Sequence, residues 1–291
     1  MYALRPIITE FSIKGFHNIY YFEFGKHFSH TPEKHNFWEM VYVDRGEILA
    51  ITNGIACTLE QGQAIFHEPQ EIHAHVSNNK VANNMLVISF STDDTSVIDF
   101  FRKKTFTLDK TTKTLLTLFM DEAKNALGKI PDNYSDKGNL DFSSAPFGST
   151  HLMQCYFTEF LIKLMRGDST AGVNIRQDAS ARAIADTSMA EMIAGFLGEN
   201  IYQNLTLKEV CEHFMIGKSQ LSKIFKEHTG SSPMEFYTFL KIREAKKLLR
   251  ENTMSVSEIS DSLGYSSIHI FSRAFKQRTG FSPSTYRQSI L

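Results

Sequence analysis

Ser219, Ser222, Lys223 and Lys226 fall on one side of a helical projection of residues 218–228, and Ser267, His269, Ser272, Arg273 and Lys276 on one side of residues 267–278. Hydroxyls, an imidazole and long cations in such a stripe can bond phosphate oxygens and reach base edges in the major groove of duplex DNA. Apart from Glu227, neither stretch contains an acid. The opposite sides are apolar: Leu221, Ile224 and Phe225 in the first, Ile270, Phe271, Ala274 and Phe275 in the second. A single polar stripe is more often a solvated helix face. Two stripes of the same composition and the same placement argue for a surface that is used.

The elements that must position these stripes are themselves duplicated. FKEHTGSSP at Phe225–Pro233 returns as FKQRTGFSP at Phe275–Pro283, with six of nine positions identical. Ahead of each copy stands a capping box, Thr206 with Glu209 and Ser255 with Glu258. Each unit therefore reads as a short helix (206–214; 255–263), a tight turn, and a second helix (218–228; 267–278), which is helix-turn-helix geometry twice over. Met215 stands where the second unit has Gly264. The first turn is one residue shorter, so it is expected to need no left-handed residue there. Ser232-Pro233 and Ser282-Pro283 supply an N-cap and a first-turn proline, so a further helix follows each unit. The first of these, about 15 residues or ~22 Å, would let the two reading helices stand one DNA turn of ~34 Å apart.

Composition confines the rest. A chain of 291 residues with 42% hydrophobic and 22% charged residues has the content of an ordinary globular protein, and its length favours two domains. Disorder, collagen and long coiled coil are excluded. No apolar run approaches a membrane span, and Arg5, Glu10, Lys14 and His17 interrupt the first twenty residues, so neither a signal peptide nor a membrane segment is expected. Cys57, Cys155 and Cys211 are too few and too dispersed for a disulfide framework or a thiolate zinc site, which points to the reducing cytoplasm. The net charge of −1 divides into +2 for residues 186–291 and −3 for residues 1–185.

The first ninety residues alternate as short strands with glycine-bearing turns, a pattern of a β-sandwich or barrel. From Asp109 to Arg166 the period turns helical, with two amphipathic helices joined by a Gly/Pro/Asn/Ser-rich stretch at 128–149. Residues 167–185 are small and polar, as in a linker. The expected organisation is α+β: a barrel at 1–108, a helical segment at 109–166, a linker at 167–185 and an all-α domain of two helix-turn-helix units at 186–291.

The last hundred residues resemble the AraC/XylS class of bacterial transcription regulators, most specifically in VSEISDSLGYSSIHIFSRAFKQRTGFSPSTYR, Val256 to Arg287. The resemblance implies contacts to double-stranded DNA from Ser219, Gln220, Ser222, Lys223 and Lys226 in the first unit, and from His269, Ser272, Arg273 and Lys276 in the second. Arg243 falls where the family has an arginine; the alternative is an ion pair with Glu244 or Glu251. The family also implies transcription activation with RNA polymerase as a partner. It implies a homodimer through residues 109–166, for which Leu152, Tyr156, Phe160 and Leu164 make a seam.

Many N-terminal domains of the family are cupins, small barrels that bind a sugar or another small effector. Glu39 followed by Gly46, and GQAIFHEPQEIH at Gly62–His73, resemble the two cupin motifs. Carried over residue by residue, the metal-ligand positions of enzymatic cupins are Glu33, His35, Glu39 and His73, with Glu33 where a histidine is usual. Strand parity independently puts Glu33, His35, Phe37 and Glu39 on one face, with Trp38 turned away to serve packing. Such a set could hold a divalent transition metal. The reading preferred here is an effector pocket at His35, Glu39 and His73 with no metal and no cofactor, in a ligand-responsive regulator that is not an enzyme. The alternative is a metal-dependent cupin enzyme fused to a DNA-binding domain.

Overall fold

The computed structural model describes residues 5, 11–92, 99–102, 104–132, 140–167 and 170–290. The chain divides into two compact units, residues 1–185 and 186–291.

The first unit contains β1 (Ile13–Phe24), β2 (Trp38–Arg45), β3 (Glu47–Thr52), β4 (Ile55–Glu60), β5 (Gln63–His67), β6 (His73–Ser77), β7 (Asn83–Thr92), β8 (Lys104–Thr107) and β9 (Thr170–Asn174). They make a six-stranded sheet in the order β1-β7-β2-β5-β8-β9 and a three-stranded sheet in the order β4-β3-β6, with every ladder antiparallel. Among the described residues no ladder closes the two sheets into one cylinder. The sheets pack face to face, and alternation along each strand sorts the side chains. Val41, Val43, Met85 and Val87 meet Ile48, Ala50 and Leu59 of the smaller sheet between the layers. Trp38, Met40, Tyr42, Ile88 and Phe90 face the other way, into a second core. Because both faces are covered, β2 is buried at six consecutive positions. Gly46 turns the chain from β2 to β3 at φ +77°, and a Cβ there would overlap the carbonyl oxygen of Ala82.

The second core is closed by α1 (Lys110–Leu127), capped by Asp109, whose carboxylate accepts from the Thr112 amide at 2.8 Å, and by α2 (Ser149–Met165). Leu115, Leu116 and Phe119 interlock with Met153, Phe157 and Phe160 over the sheet. This corrects the expected seam. Phe160 and Leu164 are spent in the core of their own unit, Tyr156 is half-buried, and only Leu152 is exposed. The stretch 167–185 is not a linker throughout either. It carries β9, paired with β8, and the start of α3 (Ala179–Glu199), where Ala181 and Ala185 pack with Leu49, Ala56 and Val76 on the outer side of the smaller sheet. Small residues suit that seat because they let a helix approach a sheet closely.

The second unit comprises the later part of α3 followed by α4 (Leu207–His213), α5 (Lys218–Thr229), α6 (Pro233–Glu251), α7 (Val256–Ser262), α8 (Ile268–Thr279) and α9 (Pro283–Ile290). Capping boxes are formed at Thr206/Glu209, Ser232/Glu235 and Ser255/Glu258. Each α4–α5 or α7–α8 pair has its own core, one around Leu221, Ile224 and Phe225, the other around Phe271 and Phe275. Met215 departs from the sequence reading: its φ is +50°, matching +66° at Gly264. The reason is that both helices end in the same hydrogen-bonded turn. Ile216 N–H bonds Cys211 C=O at 3.0 Å and Tyr265 N–H bonds Ser260 C=O at 3.1 Å. The extra residue of the second turn lies beyond this point, so the left-handed position is required in both.

Candidate nucleic-acid interface and buried histidine cluster

In α5 the stripe is presented outward. Ser219, Gln220, Lys223 and Lys226 are exposed and Ser222 is half-buried, while Leu221, Ile224 and Phe225 anchor the opposite side. In α8, His269, Arg273 and Lys276 are exposed and Ser272 is half-buried, over Phe271 and Phe275 at full burial. Burying one phenylalanine is worth ~1.5 to 3 kcal/mol, so each reading helix is fixed in rotation by its aromatic side. One residue of the expected apolar side does not belong to it. Ile270 is 43% exposed, with Ile268 at 36%, so the first turn of α8 offers apolar atoms beside His269. Arg243 is exposed, and the carboxylate of Glu244 accepts from Tyr202 Oη at 3.0 Å and faces Lys247 at 3.5 Å.

The polar residues of the first unit converge deep between its sheets. Residues 33–37 are not a strand; Glu33 makes an isolated bridge with His73, its N–H bonding the His73 carbonyl at 2.9 Å. The convergence comes from that bridge rather than from strand parity. His35 Nε2 lies 3.5 Å from one Glu39 oxygen and His73 Nε2 3.3 Å from the other, with Glu33 at 3.7 Å from His73. Both imidazoles are held from behind: Nδ1 of His35 meets the Phe37 carbonyl at 2.9 Å and Nδ1 of His73 meets the Glu71 carbonyl at 3.1 Å. With Nδ1 donating, each Nε2 is turned toward Glu39. Both contacts are ion pairs at the long end of hydrogen-bond range. Burial pushes the Glu39 carboxyl up, but the two histidines outweigh it and hold it well below the usual carboxylate range. Burial pushes His73 down, and Glu39 outweighs it, leaving His73 raised. A cavity of about 220 Å³ opens beside this group, lined by Asn18, Tyr20, Glu33, His35, Phe37 and Glu39 among others. The Phe37 ring is stacked between His17 and His35 at 4.2 and 3.9 Å.

A family model described as "Helix-turn-helix domain" matches residues 210–289. The raffinose operon transcriptional regulatory protein RafR of Pediococcus pentosaceus is 34% identical over 39% of this chain and 41% of its own length. The uncharacterized HTH-type transcriptional regulator YfiF of Bacillus subtilis (strain 168) is 25% identical over 94% of this chain and 83% of its own. Residues 210–289 form an AraC-type helix-turn-helix domain. Among solved structures, the C-terminal domain of AraT, a response regulator from Geobacillus stearothermophilus, is 29% identical over 35% of this chain and 84% of its own, with a TM-score of 0.34.

The AraC-type domain thus carries all nine residues expected at DNA on its two second helices, and His35, Glu39 and His73 lie together in the other unit, with Glu33 at their edge. Sequence reasoning passed over a second set behind them. His67, Glu71 and His75 are fully buried: His67 Nδ1 meets Glu71 at 3.0 Å, its Nε2 meets His75 Nε2 at 3.0 Å, and its ring stacks on His73 at 4.2 Å. Burial and the neighbouring histidines hold both His67 and His75 well below the usual imidazole value. The available signal was parity, since His73 and His75 share a face of β6. Lys241 of the AraC-type domain was also missed. It is buried on the joining helix α6, and loss of hydration pulls its ammonium down to about 8.

Proposed function

We propose that this chain is a ligand-responsive, sequence-specific DNA-binding transcription regulator, acting in the cytoplasm, with a cupin-like sensor in residues 1–108. The observation that carries the reading is the pair of outward stripes on α5 and α8, alike in composition and each anchored by its own aromatic core. No helix among the described residues is long and apolar enough to cross a membrane. In this reading Ser219, Gln220, Ser222, Lys223 and Lys226 face one major groove and His269, Ser272, Arg273 and Lys276 the next, with Ile270 against a thymine methyl. Residues 109–166 serve dimerisation through the exposed Leu118 and Leu152 rather than through Phe160 and Leu164, and RNA polymerase is the partner in activation.

The effector enters the cavity beside His35, Glu39 and His73. Carboxylates, Lys34, Asn18 and an aromatic face suit a small polar molecule such as a sugar, in line with the raffinose regulator among the relatives. A ligand that fits one arrangement of the sensor better than another shifts the balance between them, which is all a switch requires. A second reading is favoured by one observation: ligand atoms of His35, Glu39 and His73 lie within 4.8 Å of one another, with both Nε2 atoms turned toward the same carboxylate. A divalent transition metal would find two oriented imidazoles and a carboxylate there.

Binding of the full chain to random-sequence duplexes over a series of salt concentrations tests the function. Replacing Arg273 or Lys223 with Ala is expected to weaken binding by ~1 to 3 kcal/mol if the side chain reads a base, or to lower the salt slope by about one if it meets a phosphate. A chain with no salt-dependent affinity for any duplex refutes the reading. Metal analysis of protein purified without chelator decides the second: a stoichiometric metal that disappears in His73→Ala supports it, and metal-free protein ends it.

A further inference from the structure

Among the described residues the two helix-turn-helix units have separate apolar cores. Tyr237 and Leu240 of α6 belong to the first cluster, Ile242, Ala245 and Leu249 to the second. Between them on the same helix stands Lys241, 4% exposed. Its Nζ donates to the carbonyl of Gln203, in the turn that leads into the first unit, and at 2.6 Å to the carbonyl of Leu263, the C-cap of α7 in the second. The ring faces of Tyr237, 4.5 Å away, and Tyr265, 5.2 Å away, also lie against it. The same Gln203 carbonyl accepts from Tyr237 Oη at 2.6 Å. Gly264 closes the junction: a Cβ on it would lie 2.8 Å from the carbonyl carbon and oxygen of Gln203.

Stability alone does not account for a cation here. A buried ammonium with no carboxylate beside it is costly, and a methionine would fill the same volume more cheaply. What the ammonium supplies is direction. Apolar contact lets surfaces slide, whereas two charge-assisted bonds to fixed carbonyls define where each unit sits along α6. One exposed bond, from Arg278 Nη2 at the end of α8 to the Glu235 carbonyl at 3.1 Å, adds a weaker tie.

We propose that Lys241 is a positioning residue for two-headed recognition of duplex DNA, bolting the two helix-turn-helix units to one spacing and so setting which separation of half-sites the chain accepts. The proposal rests on the DNA-reading function above. Each base pair inserted between half-sites moves the second by about 3.4 Å along the axis and roughly 34° around it, so a rigid pair of heads registers a single insertion.

The test uses the full chain. A duplex is first selected from random sequence by the wild-type protein, and its two half-sites are then moved apart or together in single base-pair steps. The wild type is expected to lose about tenfold or more per step, and Lys241→Met to bind the selected spacing about tenfold more weakly while its spacing dependence flattens. Affinity for an isolated half-site should stay unchanged, and Lys241→Arg should restore the wild-type profile. Should Lys241→Met fail to fold, Lys241→Gln, which takes the charge out of both bonds that span the units, is expected to flatten the profile in part. Intact spacing discrimination in the folded variant, or equal loss on the isolated half-site, overturns the proposal. If the wild type selects no duplex at all, it is the DNA-reading function that falls.

Discussion

Equivalent turn positions with different residues, Met215 and Gly264, allow backbone strain to be measured in one domain. Met215 has φ +50° and its side chain is 37% exposed, so simple truncation would mix strain with lost packing. The comparison that isolates the backbone is Met215→Ala against Met215→Gly, since both remove the same atoms beyond Cβ. In a helix interior, glycine is ~0.5 to 1 kcal/mol worse than alanine. In the left-handed region an L-residue bears a cost of roughly 1 to 2 kcal/mol that glycine escapes. The balance at 215 should therefore reverse sign, with the glycine variant about 1 kcal/mol more stable than the alanine variant. For a domain of this size that corresponds to ~4 to 8 °C in melting temperature. Far-ultraviolet circular dichroism of the full chain follows the helical unit. Trp38, the single tryptophan, is buried in the first unit, and its fluorescence serves as an internal control that should not move. An alanine variant as stable as the glycine variant, or more so, would refute the assignment of Met215 to the left-handed region and the shared turn built on it.

At Gly264 the reciprocal change, Gly264→Ala, meets the left-handed cost together with overlap against Gln203, and a loss of more than about 2 kcal/mol is expected in the same melting experiment. In a thermal-shift panel of sugars read by Trp38 fluorescence, a ligand at a hundred times its dissociation constant should stabilise the wild type by ~2.7 kcal/mol. His35→Ala should abolish that gain and leave DNA affinity unchanged; retained stabilisation would place the effector elsewhere. Cys155 is exposed, whereas burial pushes the Cys57 thiol up to about 11. Iodoacetamide at pH 8 should therefore alkylate Cys155 and spare Cys57, and mass spectrometry of the folded chain showing the opposite order would contradict the burial of β4.

What could be read from sequence was local or repeated. The capping boxes at Thr206 and Ser255, the N-cap at Ser232 and the reading faces of α5 and α8 depend on residues three or four apart, and the duplication marked both helices as a pair. Periodicity told less where a side chain's fate depends on distant neighbours. Ile270 has the spacing of a core residue and is exposed, because Phe271 and Phe275 already fill the space under α8. Phe160 and Leu164 have the spacing of a dimer seam and are buried, because the six-stranded sheet needs a cover on that face. His35, Glu39 and His73 were singled out by motif, but their meeting depends on the Glu33–His73 bridge, a pairing across forty residues that no local pattern encodes. His67, Glu71 and His75 came together only once β5 and β6 faced each other from the two sheets, and Lys241 found its partners only once the carbonyls of Gln203 and Leu263 were brought to the same side of α6. Local hydrogen bonds are set by short-range spacing along the chain; which buried polar groups find partners is settled by packing, where each partner comes from a different element.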